Sequence, residues 1–172
     1  PFSIRKKILK DMGDLQGKVI LEYGCSVGTL TRKLAPRVTE TGKIIAADLS
    51  LHKVKIADRR TKHLSHVKVH HHPHVDKVKL PIKKVDGVIS IGMLSYMQKP
   101  KQMLKTLNGH LKKNGEILFV DFDNFFFFIP NVKWIENDQQ LKEVFKTAGF
   151  SVEVERKQSL LWQYIIIRGK KV

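Results

Sequence analysis

Apolar and polar positions along this chain alternate between two periods. In residues 2–12, FSIRKKILKDM, Ile4, Ile8, Leu9 and Met12 share one face while Arg5, Lys6, Lys7 and Lys10 surround it, the spacing of a basic amphipathic helix. Lys18 to Glu22 then reads as a buried strand, and Thr29 to Leu34 as a helix that Pro36 should stop, because proline has no amide hydrogen to donate. GKIIAADLS supplies a second strand ending at Asp48, Leu51 to Arg60 a helix, HVKVHH a third strand from His66, and VDGVISIG a fourth ending near Ser90. KPKQMLKTLNGHLKKNG is expected to be a helix closed by Gly115, followed by a fifth strand EILFVDF. Asn137 or Asp138 can cap the helix QQLKEVFKTAG, which should stop at Gly149. FSVEVERK and LLWQYIIIRG finish the chain as two strands around a short turn at Gln158 and Ser159.

Strands separated by helices must pair in parallel, whereas two strands joined by a short turn must be antiparallel. The expected architecture is therefore α/β: a Rossmann-like, doubly wound, seven-stranded sheet, mostly parallel, with a C-terminal antiparallel hairpin and helices on both faces. The stretch His72 to Lys84 looks too short for a full crossover helix. The 172 residues suit one domain, 1–172, with residues 1–13 as its N-terminal basic helix.

Composition changes this picture in two respects. With 32 Lys+Arg against 16 Asp+Glu the chain carries a formal charge of +16, which suits an anionic partner such as RNA or an anionic membrane surface. Cys25 is the only cysteine, so no intrachain disulfide and no multi-cysteine metal site can form, in keeping with a reducing, cytoplasmic setting. A peripheral position at a membrane stays open, because the first helix is basic and amphipathic. No apolar run reaches the length of a membrane span; FFFFIP, Phe125 to Pro130, is far too short. The chain begins at Pro1, so a trimmed leader also stays open.

Candidate chemistry concentrates in VILEYGCSVGTLTRKLAP, Val19 to Pro36. Gly24 and Gly28 allow close backbone approach and a sharp turn into a helix. A nicotinamide or flavin fingerprint would place glycine at 24, 26 and 29, where the chain has Gly24, Ser26 and Thr29, and the lysine of a phosphate-binding Walker loop is missing. Glu22 sets a carboxylate at the mouth of this turn, which suits a cationic ligand better than a phosphate. S-adenosylmethionine carries a sulfonium, an ammonium and a ribose diol and has no phosphate. Asp48, at the tip of the second strand, is placed to accept hydrogen bonds from both ribose hydroxyls.

With these residues in place the chain resembles the class I S-adenosylmethionine-dependent methyltransferases over nearly its whole length. LEYGCSVGTLTRKLA is similar to their first motif, GKIIAADLS to the second, VDGVISIGMLSYM to the fourth-strand motif, LKKNGEILFVDF to the entry into the fifth strand, and LKEVFKTAGFSVEVERK with LWQYIIIRG to the last helix and hairpin. The resemblance implies that Glu22, Gly24, Cys25, Ser26 and Gly28 lie along the methionine moiety, Asp48 takes the ribose, Leu49 packs on adenine and Ser90 borders the methyl donor. Three departures stand out: Ser26 replaces a glycine, LKKNG replaces a proline-glycine-glycine turn, and the acid usually found after the third strand has no counterpart except Asp76, which would need an insertion.

The implied reaction is methyl transfer from S-adenosylmethionine to a small molecule or lipid head group, with an RNA acceptor or a non-catalytic binding module on the same fold as alternatives. No residue stands out as a general base; Tyr96 and Asp121, at the ends of elements bordering the acceptor side, are candidates, and an amine acceptor arriving neutral needs neither. The fourth strand lacks the aspartate/asparagine-proline-proline-aromatic motif of enzymes that methylate base amino groups, and SIGMLSY stands there instead. NFFFFIPNVKW, Asn124 to Trp134, offers either a greasy acceptor wall or a buried cluster. The histidine run His70, His71, His72 and His74, with His63 and His66 nearby, is read as charge at mildly acidic pH, and no metal is expected.

Overall fold

The structure, a computed structural model, describes residues 8–74, 84–125, 129–130, 132–158 and 162–172. It divides into two compact units, residues 1–73 and 74–172.

In the first unit three parallel strands, β1 (Val19–Tyr23), β2 (Lys43–Asp48) and β3 (Val67–His71), lie in the order β3-β2-β1. Leu21 stands opposite Ile45, and Asp48 opposite His71. VILEY and KIIAAD are buried almost throughout, as strands covered on both faces must be. Two helices link them, α1 (Thr31–Val38) and α2 (Leu51–Thr61), the second capped where Lys53 N donates to the Ser50 hydroxyl. Residues 8–11 are helical and Ile8 is buried, so the described part of the N-terminal helix covers apolar surface; residues 2–7 lie outside the described ones.

Pro36 does not stop α1. The helix runs on to Val38, with Thr39 N donating to Ala35 O. Proline forfeits only the bond to the Arg32 carbonyl, and both Arg32 and Pro36 are exposed, so water can serve that oxygen. Burial of Val38 holds the last turn against the core.

The second unit has the order β4-β5-β8-β7, from β4 (Val85–Ile91), β5 (Leu111–Phe125), β7 (Phe150–Gln158) and β8 (Trp162–Lys171), with a short strand β6 (Ile129–Pro130) also paired to β5. β4 and β5 are parallel; β5 with β8 and β7 with β8 are antiparallel, as two strands joined by a short turn require. A 3-10 turn, Leu94–Tyr96, precedes α3 (Pro100–His110), and α4 (Lys133–Glu136) and α5 (Asp138–Thr147) follow. Asn137 caps α5, its Oδ1 accepting from Gln139 N and Gln140 N at 2.9 and 3.0 Å.

The helix before β5 ends five residues earlier than its glycine suggests. Leu111 is extended and buried, paired with Val85. Lys171 closes the helix by donating from Nζ to the carbonyls of Asn108 and Leu111 at 2.7 and 3.0 Å. Asn114, at φ +60°, makes the turn instead, and Gly115 is required because a Cβ there would lie 2.7 Å from Leu111 Cδ2. The crossover after β3 and the turn between β7 and β8 fall largely outside the described residues, as do the side chains of the aromatic run before Val132.

Candidate functional site

The first unit carries a carboxylate pair around a tight loop. Glu22, near the end of β1, is 3 % exposed, and its Oε2 accepts a hydrogen bond from the Thr31 hydroxyl at 2.6 Å. Burial pushes its pKa up to about 8, with Asp48 adding to the rise and Thr31 opposing it. Asp48, 6 % exposed, accepts from Ser26 N at 2.7 Å through Oδ2 and from Ser50 N at 2.9 Å through Oδ1. Each of its oxygens holds one backbone amide and retains acceptor capacity for a further donor. The carboxylate is thus oriented before any ligand arrives, in the manner needed to receive a vicinal diol.

The loop from Gly24 to Gly28 spends its amides internally. Gly24 N and Cys25 N donate to Ala47 O at 2.7 and 3.0 Å, Ser26 N goes to Asp48, and Gly28 N goes to Cys25 O at 3.0 Å. A phosphate-binding loop needs those amides pointing at its ligand and no carboxylate beside them. This loop meets neither condition. Gly24, Ser26 and Gly28 have φ of +88°, +51° and +78°. At Gly28 a Cβ would also meet Ala57 at 3.2 Å, so the glycine is what lets the loop pack on α2. The residue set fits S-adenosylmethionine: acceptors for an ammonium, a sulfonium and a diol, and no site for a phosphate.

Cys25 is buried, and burial with the nearby Glu22 and Asp48 carboxylates raises its thiol pKa, so it is a packed small side chain rather than a nucleophile. Leu49 is half-buried, and its carbonyl meets His71 Nε2 at 3.0 Å. His72 is buried with its ring stacked on Tyr23 at 5.0 Å, and its backbone amide donates to Asp48 O. Asp76 lies outside the described residues. His66 Nε2 contacts Ala35 O at 3.0 Å, and no metal-binding group of His, Cys, Asp and Glu occurs among the described residues.

In the second unit Ser90 is buried near the end of β4. Asp121 is buried near the end of the parallel part of β5; its Oδ2 accepts from Ser95 N at 3.2 Å and its Oδ1 from Phe122 N at 2.8 Å. Burial raises its pKa while those backbone amides oppose the rise. Tyr96, in the turn that Asp121 holds, is 62 % exposed. The first unit brings Glu22, Cys25, Ser26, Gly28 and Asp48 together, and the second brings Asp121 to the turn bearing Tyr96. Sequence reasoning missed Thr31, although a hydroxyl entering the helix after a glycine loop is a recognisable sign.

Comparison with known proteins agrees with this chemistry. A family model described as methyltransferase domain matches residues 3–170. A demethylmenaquinone methyltransferase of Staphylococcus saprophyticus is 24% identical over 180 residues, covering 86% of this chain and 76% of that protein. One from Staphylococcus aureus strain MRSA252 is 28% identical over 119 residues, 68% of this chain and 48% of its own length, so the match spans about half of that relative. The crystal structure of a SAM-dependent methyltransferase from Aquifex aeolicus superposes with a TM-score of 0.81 at 20% identity, covering 98% of this chain and 89% of that one.

The chain belongs to the methyltransferase domain family, and its fold is the Rossmann-like one of mostly parallel strands with an antiparallel C-terminal pair. It is an S-adenosylmethionine-dependent methyltransferase, with S-adenosylmethionine as cofactor. No helix among the described residues is long and apolar enough to cross a membrane.

Proposed function

We propose that this enzyme methylates a small molecule or a lipid head group, and that Glu22, Gly24, Cys25, Ser26, Gly28, Asp48 and Leu49 of the first unit form its cofactor site. The observation that carries the cofactor assignment is the pair of buried carboxylates, Glu22 and Asp48, beside a loop whose amides are consumed internally. The small-molecule acceptor is supported by relatives named demethylmenaquinone methyltransferase.

When bound, the cofactor supplies an electrophilic methyl group on a positively charged sulfur. Asp48 holds the ribose end, Glu22 supplies negative charge toward the ammonium and sulfonium, and the loop excludes water along one side. Positioning reactants on one axis accounts for much of such a rate enhancement. Asp121 acts here as a positioning residue: both its oxygens hold backbone amides, and through Ser95 it sets the turn that carries Tyr96. No described side chain is required as a base when the acceptor arrives neutral or already ionised.

A second reading, an RNA acceptor, draws on α2. His52, Lys55, Arg59, Lys62 and His63 are exposed along one side of that helix and its C-terminal end, with the three fixed cations about one turn apart. Purified enzyme incubated with methyl-labelled cofactor and, in parallel, a lipid extract, a small-metabolite extract and total RNA separates these cases. Label entering an extract and not RNA supports the small-molecule reading, and label only in RNA overturns it. Cofactor binding at millimolar ligand without label in any fraction would favour a non-catalytic role.

A further inference from the structure

The pair Asn-Gly occurs twice around the start of β5, as Asn108–Gly109 and as Asn114–Gly115. In such a pair the side-chain amide is open to attack by the next backbone nitrogen, because glycine puts no Cβ in the way. Whether the attack happens depends on how each pair is held, and the fold holds the two differently. Asn108 lies inside α3, where the nitrogen that would attack, that of Gly109, belongs to the helical hydrogen-bond ladder. Its half-buried side chain donates from Nδ2 to Gly149 O at 2.8 Å, and its own carbonyl accepts from Lys171 Nζ at 2.7 Å. Every group needed for the reaction is already engaged.

Asn114 sits in the opposite setting. Val85 pairs with Leu111 and Gly87 with Glu116, so residues 112–115 bulge from β5 opposite Asp86 alone. The ends of this bulge are fixed: Lys112 is ion-paired with Asp86 at 2.8 Å, and Gly115 packs so closely that a Cβ would lie 2.7 Å from Leu111 Cδ2. Its tip is free. Asn114 is exposed, and its side chain has no hydrogen bond to the described residues. Its φ of +60° is a left-handed conformation that asparagine adopts more readily than other side chains, so the residue that makes the turn is also the reactive one. Lys113 beside it is exposed as well and favours negative charge developing on a neighbouring nitrogen.

We propose that Asn114 is a site of spontaneous modification, converted in the folded protein to aspartate and isoaspartate, and that Asn108 is spared. Gly115 N gives up its proton to hydroxide and attacks Asn114 Cγ. The new C–N bond closes a cyclic imide, the Cγ–Nδ2 bond breaks, and Nδ2 leaves as ammonia after taking a proton from water. A second water opens the imide at one of its two carbonyls, and no oxidant or reductant is involved. Being intramolecular, the first step gains from proximity wherever the side chain is free to turn onto the next nitrogen. Aspartate keeps the chain length and the left-handed turn and adds a negative charge beside Lys112 and Lys113. Isoaspartate routes the main chain through the side-chain carbon, which lengthens the bulge between two fixed ends and loosens the entry into β5.

The full chain, kept at mildly alkaline pH and body temperature for several days both folded and in concentrated urea, tests this. Trypsin separates the two asparagines, because cleavage after Lys105, Lys112 and Lys113 puts them in different peptides. Mass spectrometry reads the change from amide to acid, with fragmentation locating it at Asn108 or Asn114. In the folded protein Asn114 should convert at least about tenfold faster than Asn108, a barrier difference of about 1.4 kcal/mol, and in urea the two should convert at the same rate. Equal rates in the folded protein overturn the proposal, and so does an Asn114 that stays intact there. A preference that survives in urea also overturns it, because neighbouring residues and not the fold would then set the rates. Chromatography separates the isoaspartate form, which should melt lower than fresh protein, whereas Asn114→Asp should melt like it. An isoaspartate form as stable as Asn114→Asp would refute the loosening of β5.

Discussion

Thr31 donates its hydroxyl to Glu22 Oε2 at 2.6 Å, joining the first turn of α1 to the end of β1 inside the core. The bond favours the charged carboxylate, yet burial outweighs it and leaves Glu22 with a pKa of about 8. A cationic ligand needs the ionised form. Below pH 8 the site must therefore release a proton to bind, and affinity should rise with pH by up to about tenfold per unit until it levels near pH 8. Calorimetric titrations of S-adenosylmethionine from pH 6 to 9, in buffers of different ionisation enthalpy, should show this release in the wild type and not in Glu22→Gln. Identical profiles for the two proteins would contradict the assignment.

The same group sets a stability trend in the unliganded protein. Its folded pKa lies above the ordinary carboxyl value of 4.5, so between pH 4.5 and about 8 the folded state binds the proton more tightly than the unfolded chain. Glu22 therefore stabilises the fold fully below pH 4.5, and that contribution falls away as pH rises toward 8, by several kcal/mol at most at about 1.4 kcal/mol per unit. Thr31→Val removes a hydrogen bond that lowers this pKa, so its loss of stability should extend to higher pH. Melting curves across pH 5 to 9 for wild type, Glu22→Gln and Thr31→Val check this. A Glu22→Gln curve parallel to the wild type would contradict it.

Asp48 combines orientation with charge. Asp48→Asn preserves shape and one acceptor, but its amide must set an N–H against Ser26 N or Ser50 N, which already donate there. Hydrogen bonds to charged groups contribute about 1.5–3 kcal/mol, so cofactor affinity should fall by roughly ten- to hundredfold. Titration of S-adenosylhomocysteine measures this, and a change smaller than about threefold would show that the diol is held elsewhere.

Much of this arrangement was legible beforehand because it depends on short-range rules. Glu22, Gly24, Gly28 and Asp48 could be placed because strands must end where apolar runs end and glycine permits positive φ. Asn137 was legible as a cap because an amide side chain before a periodic helix has a local job. The boundary at His110 was not: Leu111 pairs with Val85, and Lys171, sixty residues further on, serves the helix carbonyls. No local pattern encodes that. Thr31 had a local sign, its hydroxyl at the helix entry after the glycine loop, but its partner Glu22 is set by tertiary packing. The adenine-side residue stayed illegible because the histidine run obeys no spacing rule, and His72 stacks on Tyr23 from another strand.

Gly149 closes α5 at φ +84°, and a Cβ there would lie 2.9 Å from Asn108 Nδ2, which donates to Gly149 O at 2.8 Å. Gly149→Ala combines left-handed strain with displacement of that amide. It should cost about 1–3 kcal/mol, a drop of several degrees in melting temperature. Cofactor affinity should be unchanged, because this turn contributes no residue to the proposed cofactor site. An unaltered melting temperature would show that the turn relaxes freely.

Pro36 makes the opposite case. In a helix interior proline costs about 3 kcal/mol against alanine, from the missing hydrogen bond and the clash with the carbonyl four residues back. Here the position is exposed and close to the helix end, and proline also restricts the unfolded chain by up to about 1 kcal/mol in its favour. Those terms offset in part. Pro36→Ala should return an N–H to Arg32 O and stabilise the protein by about 1 kcal/mol, raising the melting temperature by about 2–4 °C. Arg32→Ala at the same helix would not imitate it, because it restores no N–H at position 36. A Pro36→Ala protein that melts lower than wild type would mean that the ring itself packs favourably against its surroundings.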